Sequence, residues 1–299
     1  MNDELKYLAK EVAQGRLNRR QFLGRAGALG VSMAFAGTMV STAVQAEGPV
    51  KGGTLRVGVE GGSSSDTLDP ALITNNNAGL IGRLWGEPIV ELADDGSLKP
   101  VLCEEFSSSP DAKVWKFKIR KGVSFSNGKA LTAADVQATL ERHAGEDSKS
   151  GALGILQDIA SISSQDGVVA VELNSANADF PYLLTDYHLM IQPNGGKDDP
   201  AAGIGTGPYV IQEFDPGVRT VASKNPDYWG SYGHAETVEI ITLNDDTART
   251  SALQSGQVDM ISRVPPKVAS LVARAPNLQV VRRSGPGHYV FIMHCDTAP

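Results

Sequence analysis

Cysteine is nearly absent from this 299-residue chain: Cys103 and Cys295 stand alone, far apart in sequence. Two cysteines make no disulfide framework, so a packed core must hold the fold; separate buried thiols are one reading and a single bridge the other. Metal-hydrolase spacing is missing too. His143, His188, His234, His288 and His294 never fall one helical turn apart with a carboxylate between. No Gly-x-Ser-x-Gly elbow occurs. Ser126-Asn127-Gly128-Lys129 has a Ser-x-x-Lys spacing, but Asn-Gly breaks the helix that such a nucleophile pair requires. Gly203 to Gly207 cannot cradle a phosphate, because Pro208 and an extended Tyr209-Val210-Ile211 follow where a helix N-terminus is needed. The neighbouring carboxylates Asp198-Asp199 and Asp245-Asp246 read as a solvated turn and a helix start. The expectation is a protein without catalytic residues, cofactor or metal.

Basic blocks are also lacking. Lys and Arg total 27 against 34 Asp and Glu, a net charge of −7. Setting aside the first 46 residues leaves 21 against 31, or −10. An acidic chain without a basic stripe is a poor partner for nucleic acid or anionic membranes.

What is present begins with an export signal. Arg19 and Arg20 precede Phe22-Leu23, and an uncharged run from Ala26 to Ala46 follows, ending in the small-residue site Val44-Gln45-Ala46. The pattern predicts twin-arginine export with cleavage after Ala46. Glycine and serine dilute the run, which argues against a permanent anchor. No cysteine near the cleavage point offers lipid attachment, so the periplasm is the expected location.

Thr54 to Val59 alternates as a strand and runs into Glu60-Gly61-Gly62-Ser63-Ser64-Ser65-Asp66, a loop with little side-chain bulk. A helical stretch is expected through 78–85, strands at Pro88–Leu92, Val114–Arg120 and Val168–Leu173, and a helix after Thr132 with Asp135 at its third position. Val238–Leu243, a helix from Asp246 to Ser255, and a short buried strand at Val258–Ile261 follow. Strands and helices mix without strict alternation, which predicts an α/β protein with segregated lobes.

Several phrases carry a resemblance: Leu68-Asp69-Pro70; Ile119 to Gly128 before Leu131-Thr132-Ala133-Ala134-Asp135-Val136; Gly205-Thr206-Gly207-Pro208-Tyr209; Lys224-Asn225-Pro226-Asp227-Tyr228-Trp229-Gly230; and Ala252-Leu253-Gln254-Ser255-Gly256-Gln257-Val258-Asp259. In this order they resemble the family 5 extracellular solute-binding proteins, the peptide receptors of bacterial ABC importers. The resemblance implies a bilobal fold of the periplasmic-binding-protein type II kind with mixed sheets. It implies domain I over 47–87 and 206–299 and domain II over 88–205. Family members run on well past the strand at Tyr289–Met293, so the resemblance implies a fragment that lacks a second large lobe.

The implied function is a periplasmic receptor that closes on a small peptide or peptide-like solute and delivers it to an ABC permease, after passage through the twin-arginine translocase. A peptide-holding chaperone-like protein and an exported hydrolase are the alternatives. The candidate ligand residues are Gly61, Gly62, Ser63 and Ser64, whose backbone is expected to pair with a peptide, together with Trp85 and Asp186, Tyr187 and His188. Trp115, Tyr228 and Trp229 read as packing residues.

Overall fold

The computed structural model describes residues 49–282 and, in the N-terminal segment, positions 7, 8, 11, 21, 22 and 25. Arg19, Arg20, Ala46 and Cys295 lie outside the described residues. Two sheets carry the architecture. The first runs β11-β1-β10-β9-β8, with β1 (Thr54–Val59), β8 (Tyr209–Asp215), β9 (Arg219–Lys224), β10 (Thr237–Thr242) and β11 (Met260–Ile261). The second runs β4-β5-β7-β6, from β4 (Cys103–Ser108), β5 (Val114–Ile119), β6 (Ile159–Gln165) and β7 (Val168–Leu173). A small ribbon of β2 (Val90–Leu92) and β3 (Leu98–Pro100) stands between them in sequence.

The antiparallel second sheet follows its sequence period. Trp115, Phe117 and Ile119 of β5 point inward and Lys116 and Lys118 outward, and the register sets Trp115 opposite Val171 and Phe117 opposite Val169. Helix α2 (Ala133–Ala144) covers this sheet with Val136 and Leu140. Its start is fixed by a capping box: Thr132 Oγ1 accepts from the Asp135 N–H while the Asp135 carboxylate accepts from the Thr132 N–H. Such a cap is worth about 1 kcal/mol. Cys103 is a free, fully buried thiol that donates to the Ile89 carbonyl.

In the first sheet β1 lies between two parallel partners, β10 and β11, so its C-terminal half is buried on both faces. Helix α1 (Asn76–Trp85) packs on this sheet through Ala78, Ile81 and Trp85, spaced along one stripe. Asn75 caps it by accepting from the Ala78 N–H at 2.9 Å.

The chain crosses between the sheets twice, and the crossings touch. The Gly207 N–H donates to the Trp85 carbonyl at 2.8 Å. A Cβ at Gly205 would sit 2.3 Å from that oxygen, and one at Gly207 2.6 Å from the Trp85 carbonyl carbon. Only glycine permits this approach of two backbones. Beside it, buried Glu87 accepts from Thr206 Oγ1 at 2.9 Å, Tyr228 OH at 2.8 Å and Trp229 Nε1 at 2.8 Å. Burial raises its pKa, against the opposing pull of those three donors. The two phrases around 205–209 and 224–230 therefore lock onto one carboxylate. Two further contacts tie the middle segment to the first sheet's layer. Arg142 of α2 donates from Nη2 to both carboxylate oxygens of Asp69 at 2.7 Å, and the Gly151 N–H donates to the Ala71 carbonyl.

No helix among the described residues is long and apolar enough to cross a membrane.

Candidate functional site

The parallel strands β1, β10 and β11 end together: Val59 lies beside Thr242 and Gly58 beside Ile261. Ligands of open α/β sheets gather at such carboxyl ends, because the loops leaving them are free to vary while the strands stay rigid. Here the edge is formed by the 60–66 loop, Asn244 and Arg263, with Asn77 in the first turn of α1 behind Gly62.

Gly61, Gly62, Ser63 and Ser64 sit at this edge as expected, but much of their backbone is already paired. Asn244 Oδ1 accepts from the Gly61 N–H at 2.8 Å, and Asn244 Nδ2 donates to the Gly62 carbonyl at 3.0 Å. Asp66 Oδ2 accepts from the Ser63 N–H at 3.1 Å. The Gly61 and Ser63 N–H groups are thereby spent and cannot also donate to a peptide backbone, whereas the Gly62 carbonyl keeps a second lone pair, so the loop is less open than an unpaired strand edge. Gly61 holds a φ of +85°, and a Cβ on Gly62 would meet the Thr242 side chain at 2.6 Å, so both glycines are needed for the loop's course. Ser64 is exposed. Asn77 donates to Asp66 Oδ2 at 3.1 Å, while its buried Oδ1 has no hydrogen-bond partner among the described residues. A buried acceptor of this kind next to Gly62 is a ready contact for a donor.

The edge is held from below by Arg249 of α5 (Asp246–Ser255), a wholly buried guanidinium. It donates to the carbonyls of Leu243, Asn244, Ser262 and Arg263, and to Glu60 and Asp246. Glu60 also takes Arg263 at 2.6 Å. One side chain thus staples the ends of all three parallel strands. Sequence reading passed over Asn77, Asn244 and Arg249; an Asn following β10 was visible, whereas a buried Arg in a polar helix gives no periodic signal.

Trp85 does not belong to this edge. It is 1% exposed, packed under Gly205 at the double crossing, and lies eight residues along α1 from Asn77, about 12 Å at 1.5 Å per residue. Its burial as a packing residue corrects the ligand-contact expectation. Asp186, Tyr187 and His188 form a separate cluster. Asp186 Oδ1 accepts from the His188 N–H at 2.9 Å and from Nδ1 at 2.6 Å, while Nε2 donates to the Ile73 carbonyl at 2.8 Å. Burial disfavours the imidazolium, but the bonds to Asp186 and Ile73 outweigh it and raise the pKa. Tyr187 stacks on His188 and faces Gly79. Both nitrogens of His188 are therefore spent within the protein; the trio anchors the segment before α1, and the structure does not bring it to the Gly61–Ser64 loop. Among the described residues no group of three or more His, Cys, Asp or Glu side chains is placed to hold a metal ion.

Comparison with known proteins places this architecture. The glutathione-binding protein GsiB of Salmonella choleraesuis is 26% identical over 227 residues, covering 74% of this chain and 44% of that protein. The solved structure of AgaA from A. tumefaciens R10, in complex with agropinic acid, superposes with a TM-score of 0.70 at 30% identity, over 75% of this chain and 46% of that one. AppA from Bacillus subtilis, solved with a nonapeptide, shares the fold at a TM-score of 0.68 and 23% identity, over 76% of this chain and 47% of its own. The chain thus spans less than half the length of each of these three relatives. The model of the bacterial extracellular solute-binding proteins, family 5 (Middle), matches residues 97–299. The chain belongs to the family 5 bacterial extracellular solute-binding proteins.

Proposed function

We propose that this chain serves as a periplasmic solute-binding receptor that delivers a peptide or peptide-like solute to an ABC permease, without chemical turnover. The reading rests on one observation: the three parallel strand ends carry a compact loop, Gly61 to Ser64, stapled by Asn244 and Arg249 into a preorganised rim. A rim fixed before binding loses little entropy when a solute arrives. Glutathione and a nonapeptide are the solutes named for GsiB and AppA, and both are peptides; agropinic acid, named for AgaA, extends the range to other small polar acids.

The solute is held where lobes close on it, and the closed form is what the permease engages. The lobes are assigned as 47–87 with 206–299 for domain I and 88–205 for domain II, in line with the two sheets and the double crossing. Export through the twin-arginine route, with cleavage after Ala46, brings the protein to the periplasm; lysines at Arg19 and Arg20 should hold the precursor in the cytoplasm.

The test is reconstitution of the receptor with its permease in vesicles. Candidate peptides should stimulate the transporter ATPase only when the receptor is present. Solute-independent stimulation, or hydrolysis of a labelled peptide by the receptor itself, would refute the proposal.

A further inference from the structure

A cavity of about 430 Å³ opens at the double crossing, and none of Gly61 to Ser64 lines it. Its volume falls in the range of small-molecule sites. Rings of Tyr228, Trp229 and Tyr232 form part of its wall. Three cations and two carboxylates also face it: Arg83, Lys99 and Arg120 with Glu87 and Glu91.

Four of these five charges are committed to neighbours. Lys99 Nζ donates to Glu91 and to Tyr232 OH, both at 2.7 Å. Glu87 holds its three donors, and Arg120 donates to the carbonyls of Val101 and Cys103 while lying 4.8 Å over the Trp229 ring. Arg83 differs. It is half-buried at the C-terminal end of α1, and its one hydrogen bond runs from Nη2 to the Thr185 carbonyl at 3.1 Å. A guanidinium carries five N–H groups, so most of its donors have no hydrogen-bond partner among the described residues. A planar fork of unspent donors in a partly dry cavity matches a carboxylate, which accepts two parallel bonds from it.

We propose that this cavity binds a small organic monocarboxylate, its carboxylate forked by Arg83 and its apolar body against the Trp229 and Tyr232 rings. The charge balance favours a single negative charge: three cations against two carboxylates leave a surplus of one. A phosphate dianion would overcompensate it and face Glu87 and Glu91.

Benzoate is the probe, titrated into the full chain by calorimetry with Trp fluorescence as a second readout. The expected Kd is about 1 mM, reasonable for so small a ligand. Arg83→Gln should weaken binding at least about tenfold, with an unchanged circular dichroism spectrum as the check on folding. Arg83→Lys, which keeps the charge without the fork, should fall between parent and Arg83→Gln. Benzamide, the neutral isostere, should bind markedly more weakly than benzoate. The proposal is overturned by equal affinities for benzoate and benzamide, by tighter binding of phenyl phosphate, by unaltered benzoate affinity in folded Arg83→Gln, or by no binding up to about 10 mM.

Discussion

Arg249→Ala should be among the most damaging single changes in the described chain. The guanidinium is 0% exposed and makes hydrogen bonds to four carbonyls and two carboxylates. Truncation leaves an internal void and strips four strand-end carbonyls of a charged donor. Glu60 keeps Arg263, and Asp246 is 59% exposed and can rehydrate, so the carbonyls and the lost packing dominate the cost. Removing one partner of a buried ionic network costs about 3–5 kcal/mol. With a urea m-value of about 3 kcal/mol/M, the midpoint should fall by roughly 1–1.7 M. Arg249→Lys retains charge but offers a single ammonium that cannot reach three strand ends, and about 2 kcal/mol should be lost. Hydrogen exchange should rise first at the carboxyl ends of β1 and β10. A midpoint for Arg249→Ala within about 0.3 M of the parent, or exchange confined to α5, would refute the staple.

Four further outcomes follow from the same structure. Gly207→Ala places a Cβ 2.6 Å from the Trp85 carbonyl carbon and should cost about 3 kcal/mol or more, whereas Gly154→Ala, with nothing within 4 Å, should be neutral or stabilise by up to about 1 kcal/mol; thermal melting of the pair checks this. Burial, helped by Arg142, pushes the His143 imidazole down to about 4, so the unfolded chain takes up its proton first as pH falls from about 6.5. Roughly 3 kcal/mol should then be lost between about pH 6.5 and 4, and His143→Gln should flatten that limb in urea midpoints taken against pH. His188 acts on the other limb: its raised pKa makes its contribution complete below about 6.5 and lost as pH climbs through the folded value, a loss that His188→Gln should abolish. Asn244→Ala should release Gly61 and Gly62, speed exchange at the Gly61 amide and cost about 1–2 kcal/mol.

Strong local pattern was readable from residues alone. The alternation of β5 and β7, the Thr132 cap and the span of α5 all appear where periodicity and capping chemistry place them. Strands β3, β4 and β6 were not legible. β4 exposes Glu104 and Glu105, and β6 is rich in serine; both are edge strands whose pairing with β5 and β7, rather than their own apolar faces, defines them. At the rim, the absence of side-chain bulk from Gly61 to Ser64 was visible, but its paired backbone was not, because Asn244 comes from more than 180 residues away. Trp85 misled for a similar reason: its environment is set by Gly205 and Gly207, distant partners that no local window contains.

The order of strands in the first sheet has a consequence for synthesis. β1 emerges from the ribosome early, yet both its neighbours come late: Thr54 pairs with Thr237, and Val57 with Met260. At about 5–20 residues per second the intervening stretch takes roughly 10–40 s to make. Throughout that interval the apolar Val57-Gly58-Val59 edge has no partner strand. The second sheet draws only on residues 103–173 and can close meanwhile, since its pairings are short in sequence and cheap in loop entropy. Nascent chains arrested shortly after residue 205 should therefore hold a protease-resistant β4–β7 sheet beside a β1 that is still cleavable. That exposed interval is when the new chain is most open to a chaperone, and a translational pause anywhere between β1 and β10 lengthens it by the full duration of the pause.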